Sequence, residues 1–147
     1  MIKCHSEHPL LVVAGPTATG KSSLALAIAE KFGGTIINSD SMQVYGELRI
    51  ITARPSAQEE ARAPHKLYGM LSVSERCSVG RWMEMAVAEI QTAWNENYLP
   101  IIVGGTGLYI NAILNGLSRM PAVPAEVRQT VRTLHEEIGA TAFRARL

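Results

Sequence analysis

A parallel β-sheet flanked by helices is what this 147-residue sequence predicts, and three observations carry the prediction. Short apolar runs rich in Leu, Ile and Val, at 10–14, 35–38 and 99–103, alternate with helix-length stretches, the order expected of strand–helix–strand units. The first run leads at once into Gly15-Pro16-Thr17-Ala18-Thr19-Gly20-Lys21-Ser22, which fits G-x-x-x-x-G-K-[ST] at every fixed position and opens a helical stretch from Ser22 to Phe32. With 47% hydrophobic residues, a chain of this length can build one domain with a genuine core.

Each element has its own local signal. Gly33-Gly34 ends the first helix as a glycine C-cap would. The strand at 35–38 follows, and Ser56-Ala57-Gln58-Glu59 has the form of a capping box for a short helix that Pro64 limits. Residues 65–71 read as a strand. Ser78 then caps a longer helix in which Val79, Trp82, Met83, Ala86, Ile90, Ala93 and Trp94 recur at helical spacing, a stripe for packing on a sheet and not a cofactor site. A strand at 99–103 and a helix at 108–114 complete the set. Pro121 and Pro124 mark a boundary, beyond which 125–137 and 141–147 look helical and polar. The organisation expected is a polar tail over 1–9, a catalytic core over 10–118, and a helical segment over 119–147.

The chemistry begins with the glycine loop. Glycines at 15 and 20 let the backbone wrap an anion with its N–H groups inward, the helix N-terminus adds partial positive charge, and Lys21 neutralises phosphate oxygens. Ser22 supplies a hydroxyl for Mg²⁺. A structural turn capping a helix would also use glycine, but strand, loop and helix occur here in the order a phosphate loop requires. The strand at 99–103 runs into Gly104-Gly105-Thr106-Gly107, with no Asp where ATPases and GTPases commonly keep one for metal and water, which argues against simple nucleotide hydrolysis. The candidate acid is Asp40, after the strand at 35–38. In a parallel sheet the carboxyl ends of strands share a crevice, so Asp40 and the phosphate loop should face one ligand, with the Asp as base for an incoming nucleophile. A turn-capping role for Asp40 or Ser41 is the alternative.

Four blocks in order carry a resemblance: residues 15–22; Asn38-Ser39-Asp40-Ser41-Met42-Gln43-Val44-Tyr45; Thr52-Ala53-Arg54-Pro55 followed by Pro64-His65; and Val103-Gly104-Gly105-Thr106-Gly107-Leu108-Tyr109. From about Leu10 onward the chain resembles the N-terminal half of the bacterial tRNA dimethylallyltransferase family, also called tRNA isopentenyltransferases. The first block is generic; the second and fourth are specific. The resemblance implies a P-loop NTPase-like fold, with the loop holding dimethylallyl diphosphate and Mg²⁺ in place of ATP. It further implies transfer of the dimethylallyl group to N6 of the adenosine 3′ of the tRNA anticodon, forming N6-dimethylallyladenosine.

On this resemblance Asp40, Lys21 and Thr106 are the catalytic residues, and Gly15 through Ser22 hold the diphosphate. Asp40, Ser41, Met42, Gln43, Thr106 and Arg128 meet the anticodon stem-loop, with Gln43 able to pair an adenine edge bidentately. Glycines 104 and 105 would admit a ligand close to the backbone, or simply turn a strand into a helix. Residues 119–147 match the start of the family's helical tRNA-binding insertion. One departure stands out: Ile51 occupies a position where the family commonly has glycine.

Net charge of +1 gives no global nucleic-acid signature, so any basic surface must be local, as in the mildly basic end that includes Arg119, Arg128, Arg132, Arg144 and Arg146. Cys4 and Cys77 lack metal-ligand spacing, and His5 and His8 beside Cys4 fit a fraying terminus better than a zinc site. No stretch approaches a membrane span, so a cytoplasmic monomer is expected. Two other classes stay open: a small-molecule or nucleotide kinase using the same loop for ATP, which should carry an arginine-rich lid, and a non-catalytic tRNA-binding fragment.

Overall fold

The structure, a computed structural model, describes residues 8–118 and 123–147. Four parallel strands, β1 (Leu11–Ala14), β2 (Gly34–Asn38), β3 (His65–Lys66) and β4 (Leu99–Gly104), form one sheet in the order β1-β4-β2-β3. Helices α1 (Lys21–Phe32), α2 (Ala57–Glu60), α3 (Val79–Asn95) and α4 (Gly107–Asn115) connect and cover it, and α5 (Ala125–Arg144) follows. This is the parallel sheet with flanking helices that the apolar runs predict. Two compact units are distinguished, Met1–Leu117 and Ser118–Leu147; the sheet belongs to the first and α5 to the second.

The two central strands explain the layering. β2 and β4 pair with Ile36 opposite Ile101 and Ile37 opposite Ile102, and successive strand residues point to opposite faces. Ile36 and Ile101 therefore join Ala25, Leu26 and Ala29 of α1 in one core, while Ile37 and Ile102 join Trp82, Ala86 and Ile90 of α3 in the other. The helical stripe is confirmed as core packing: Trp82 and Ala86 are fully buried, and Trp82 stacks on Tyr109 with ring centroids 4.4 Å apart. Offset aromatic pairs of this kind contribute beyond the area they bury.

Helix ends follow the capping signals. Gly33 sits in the left-handed region at φ 66 and its N–H donates to the Ala29 carbonyl, ending α1. Ser56 and Glu59 form the reciprocal capping box of α2, and Ser78 accepts from the Arg81 N–H to start α3. α5 is interrupted at Gly139 (φ 75, ψ 163), matching two helical stretches in place of one.

One expectation is corrected. The strand read over 65–71 stops at Lys66, because Leu67 (φ 63) and Gly69 (φ 58) both take left-handed backbone that leaves the pleat, and only a Tyr45–Leu71 bridge resumes pairing. The N-terminal tail is tethered at its described end: the His8 ring lies 5.1 Å from that of Trp94, whose indole N–H donates to the Pro9 carbonyl at 2.8 Å. Cys4, His5, Arg119 and Pro121 lie outside the described residues.

Candidate active site

The carboxyl ends of β1, β4 and β2 open on one cavity of about 220 Å³, lined by residues 17–23 of the glycine loop, Asp40, Gln43, Thr52, Ala53, Val103 and Gly104. β1 and β2 are not neighbours in the sheet; β4 lies between them, and its end forms the cavity floor. The phosphate loop and Asp40 thus share a crevice, as expected from strand ends in a parallel sheet.

In the loop, Ala18 (φ 64) and Gly20 (φ 82) are both left-handed. A non-glycine residue there costs free energy and persists only where the surrounding loop holds it. None of the N–H groups of residues 17–20 donates to another described residue. The Lys21 ammonium and the Thr19 hydroxyl both donate to the Pro16 carbonyl, which ties the loop together and holds the lysine beside the cavity. Gly15 and Pro16 shape the loop without lining the cavity. The Ser22 hydroxyl has no partner among the described residues and lines the cavity. It is a hard oxygen at the cavity, of the kind that suits Mg²⁺, which takes few protein oxygens and keeps water or phosphate for the rest.

Asp40 is positioned by a brace that the local sequence pattern does not reveal. Asn38, fully buried, accepts from the Asp40 N–H at 2.9 Å and donates to the carbonyls of Asp40 (3.0 Å) and Leu67 (3.1 Å). Trp82 donates its indole N–H to the Asn38 carbonyl at 2.9 Å. One Asp40 oxygen, Oδ1, accepts from the Met42 N–H at 2.9 Å, so Asp40 does cap its own turn. The other oxygen, Oδ2, has no partner among the described residues. The same carboxylate raises the Tyr68 phenol pKa, an effect second to burial, and Tyr109 is pushed up by burial and by its hydrogen bond to the Cys77 thiol. Both phenols therefore remain protonated donors at neutral pH.

Thr106 stands beside this turn: its Oγ1 accepts from the Ser41 N–H at 3.0 Å, and its own N–H donates to the Ser39 carbonyl at 3.3 Å. Met42 is half-exposed next to it. Gln43 lines the cavity, and its amide nitrogen donates to the Thr52 carbonyl at 2.7 Å, which anchors the side chain through one of its two N–H groups. Arg128 is exposed on α5, in the second unit.

Gly104 has an internal reason to be glycine, independent of any ligand. A Cβ there would stand 2.4 Å from the Ser39 carbonyl carbon and 2.5 Å from its oxygen, so β4 and the end of β2 could not approach. Gly104→Ala is expected to cost about 2–3 kcal/mol, the upper range for overpacking against backbone. Urea unfolding of the two proteins measures it, and equal midpoints would show that the strand ends yield.

Comparison with known proteins agrees with this geometry. The IPP transferase family model matches residues 43–147, and that of the isopentenyl transferases matches residues 8–70. The tRNA dimethylallyltransferase of Rhodospirillum centenum is 51% identical over 139 residues, 95% of this chain and 44% of the relative. That of Azorhizobium caulinodans is 54% identical over 140 residues, 95% of this chain and 45% of the relative. The chain thus spans under half the length of the curated relatives it matches. Among solved structures, the full-length tRNA isopentenylpyrophosphate transferase of Bacillus halodurans superposes with a TM-score of 0.74 at 32% identity, over 92% of this chain and 45% of that one. A eukaryotic dimethylallyltransferase acting on tRNA gives 0.75 at 31% identity, over 84% and 32%. The phosphate loop, the braced aspartate and a family match over most of the sequence lead to one assignment: the chain belongs to the IPP transferase family.

Proposed function

We propose that this chain forms the donor- and base-handling core of an enzyme that transfers a dimethylallyl group from dimethylallyl diphosphate to N6 of the adenosine 3′ of the tRNA anticodon. The observation that carries the reading is the single cavity that joins Lys21 and Ser22 of the phosphate loop to Asp40. The diphosphate lies in the loop, where unpartnered N–H groups and Lys21 stabilise the charge that grows as the allylic C–O bond breaks. A Mg²⁺ ion shared by Ser22 and the diphosphate would supply further charge neutralisation. An allylic carbon tolerates positive charge, so stabilising the leaving group removes much of the barrier.

The acceptor side falls to Asp40. The adenine N6 lone pair is delocalised into the ring and nucleophilic only as its proton departs, and the Asp40 oxygen not engaged by the Met42 N–H is the proposed acceptor. The N6–C bond forms, the C–O bond breaks, diphosphate leaves, and the proton ends on Asp40. Thr106, hydrogen-bonded to Ser41, holds the segment that meets the base. Arg128 offers a phosphate contact from α5. Among the described residues no helix is long and apolar enough to cross a membrane; a cytoplasmic monomer is part of the proposal.

Ligand preference tests the reading against a kinase. With Mg²⁺ present, dimethylallyl diphosphate should raise the unfolding temperature more than ATP does; at a hundredfold excess over Kd a ligand adds about 2.7 kcal/mol of stability. A larger shift with ATP would favour phosphoryl transfer.

A further inference from the structure

Thr52-Ala53-Arg54-Pro55 is the sequence block to which the phosphate loop and Asp40 leave no role. Thr52 and Ala53 nevertheless line the cavity beside Gln43. Ala53 does so in left-handed backbone at φ 50, which a residue with a side chain keeps only where its neighbours hold it. Those neighbours close a ring of contacts. The Gln43 amide nitrogen reaches the Thr52 carbonyl at 2.7 Å and that of Ala53 at 3.4 Å. Arg54 Nη1 reaches back to the carbonyls of Gly46 at 3.3 Å and Tyr45 at 3.5 Å. Gly69 donates its N–H to the Gln43 carbonyl at 2.9 Å, and the Arg54 guanidinium fills the space that a Cβ on Gly69 would need.

This arginine is used as a brace and not as a surface charge. Arg49, Arg62 and Arg81 face Glu60, Glu30 and Glu75, whereas Arg54 faces no carboxylate among the described residues. Its Nε is buried without a partner. An orphaned buried donor is costly, so the group is placed by the ring of contacts and not drawn by a counter-charge. Every contact of the ring lies between residues 43 and 69, inside the fold. What it fixes is one wall of the cavity. A diphosphate anchored by residues 17–23 leaves its hydrocarbon to the rest of the lining, where Ala53 and Val103 offer the apolar side chains. Val103 is fixed by its pairing in β4; Ala53, in a turn, is fixed by the ring.

We propose that Arg54 is a positioning residue for the donor: by bracing Ala53 and Gln43 it sets the wall on which the dimethylallyl group lies. The proposal rests on the donor reading above and adds to it a residue outside the cavity lining. Calorimetric titration of this chain with Mg²⁺ and, in separate runs, dimethylallyl diphosphate and methyl diphosphate tests it. The two ligands carry the same charged group, so the ratio of their affinities reports the hydrocarbon. Arg54→Met should lower that ratio about four- to fifteenfold, the scale of uncovering one or two methylene-sized groups, with methyl diphosphate affinity within about twofold. Arg54→Lys should restore the ratio, because one ammonium can replace the single nitrogen that reaches both carbonyls. Ala53→Gly suits left-handed backbone and removes the wall's methyl, and should lower the ratio about fourfold.

An unchanged ratio in Arg54→Met or in Ala53→Gly would overturn the bracing role and leave the donor reading standing. Parallel loss of both affinities in Arg54→Met would overturn it as well, making Arg54 a contact of the diphosphate. Equal affinities for the two ligands in the parent chain would take the hydrocarbon out of this cavity and remove the donor reading itself.

Discussion

Asp40→Asn is expected to lower single-turnover dimethylallyl transfer by about a hundredfold or more while leaving donor and RNA affinity within about twofold, the signature of losing a general base. The turn should survive the change, because an asparagine Oδ1 can still accept the Met42 N–H that Asp40 Oδ1 accepts at 2.9 Å. What disappears is the second oxygen as a proton acceptor. The rate is measured on this chain continued by the remaining length of a relative such as that of Azorhizobium caulinodans; calorimetry on the chain alone follows donor binding. Transfer within a few-fold of the parent would reduce Asp40 to the turn-capping role that its bond to Met42 already performs.

The parts of this site legible in the sequence are those whose chemistry is local. The phosphate loop needs eight consecutive residues, and Asp40 follows its strand directly, so both can be read off the chain. The caps at Ser56 and Ser78 and the stripe of α3 are likewise contained within a few turns. What joins these parts is not local. The Trp82 indole bonds to a carbonyl 44 residues away, and Thr106 to an amide 65 residues away. Trp82 therefore reads as core alone, and only the fold shows that it also braces the strand end carrying Asp40. Gly104 fails for a similar reason: its Cβ would meet Ser39, which no spacing rule connects to it. The strand expected over 65–71 is lost at Leu67, which is held left-handed while its buried carbonyl accepts from Asn38. Tertiary hydrogen bonding there outweighs a local preference worth at most about 1 kcal/mol.

Lys21→Ala should weaken binding of inorganic pyrophosphate or dimethylallyl diphosphate, with Mg²⁺ present, by roughly ten- to hundredfold. A hydrogen bond to a charged group contributes about 1.5–3 kcal/mol, and each 1.4 kcal/mol is a factor of ten. The fold should be spared. Lys21 belongs to neither apolar core, and the one hydrogen bond of its ammonium among the described residues is to the Pro16 carbonyl, which the Thr19 hydroxyl also reaches at 2.8 Å. Removing the ammonium therefore leaves the loop tied and its left-handed residues in place, and takes away only the movable charge. That charge must leave Pro16 to reach a phosphate oxygen, so part of the gross attraction is spent on the exchange, and the effect should fall nearer the lower end of the range. Calorimetric titration gives the affinities, and ligand-free melting curves verify that the variant is intact. Equal affinity in a variant with an unaltered melting curve would place the diphosphate elsewhere than in this loop, and the role given to Asp40 would lose its donor.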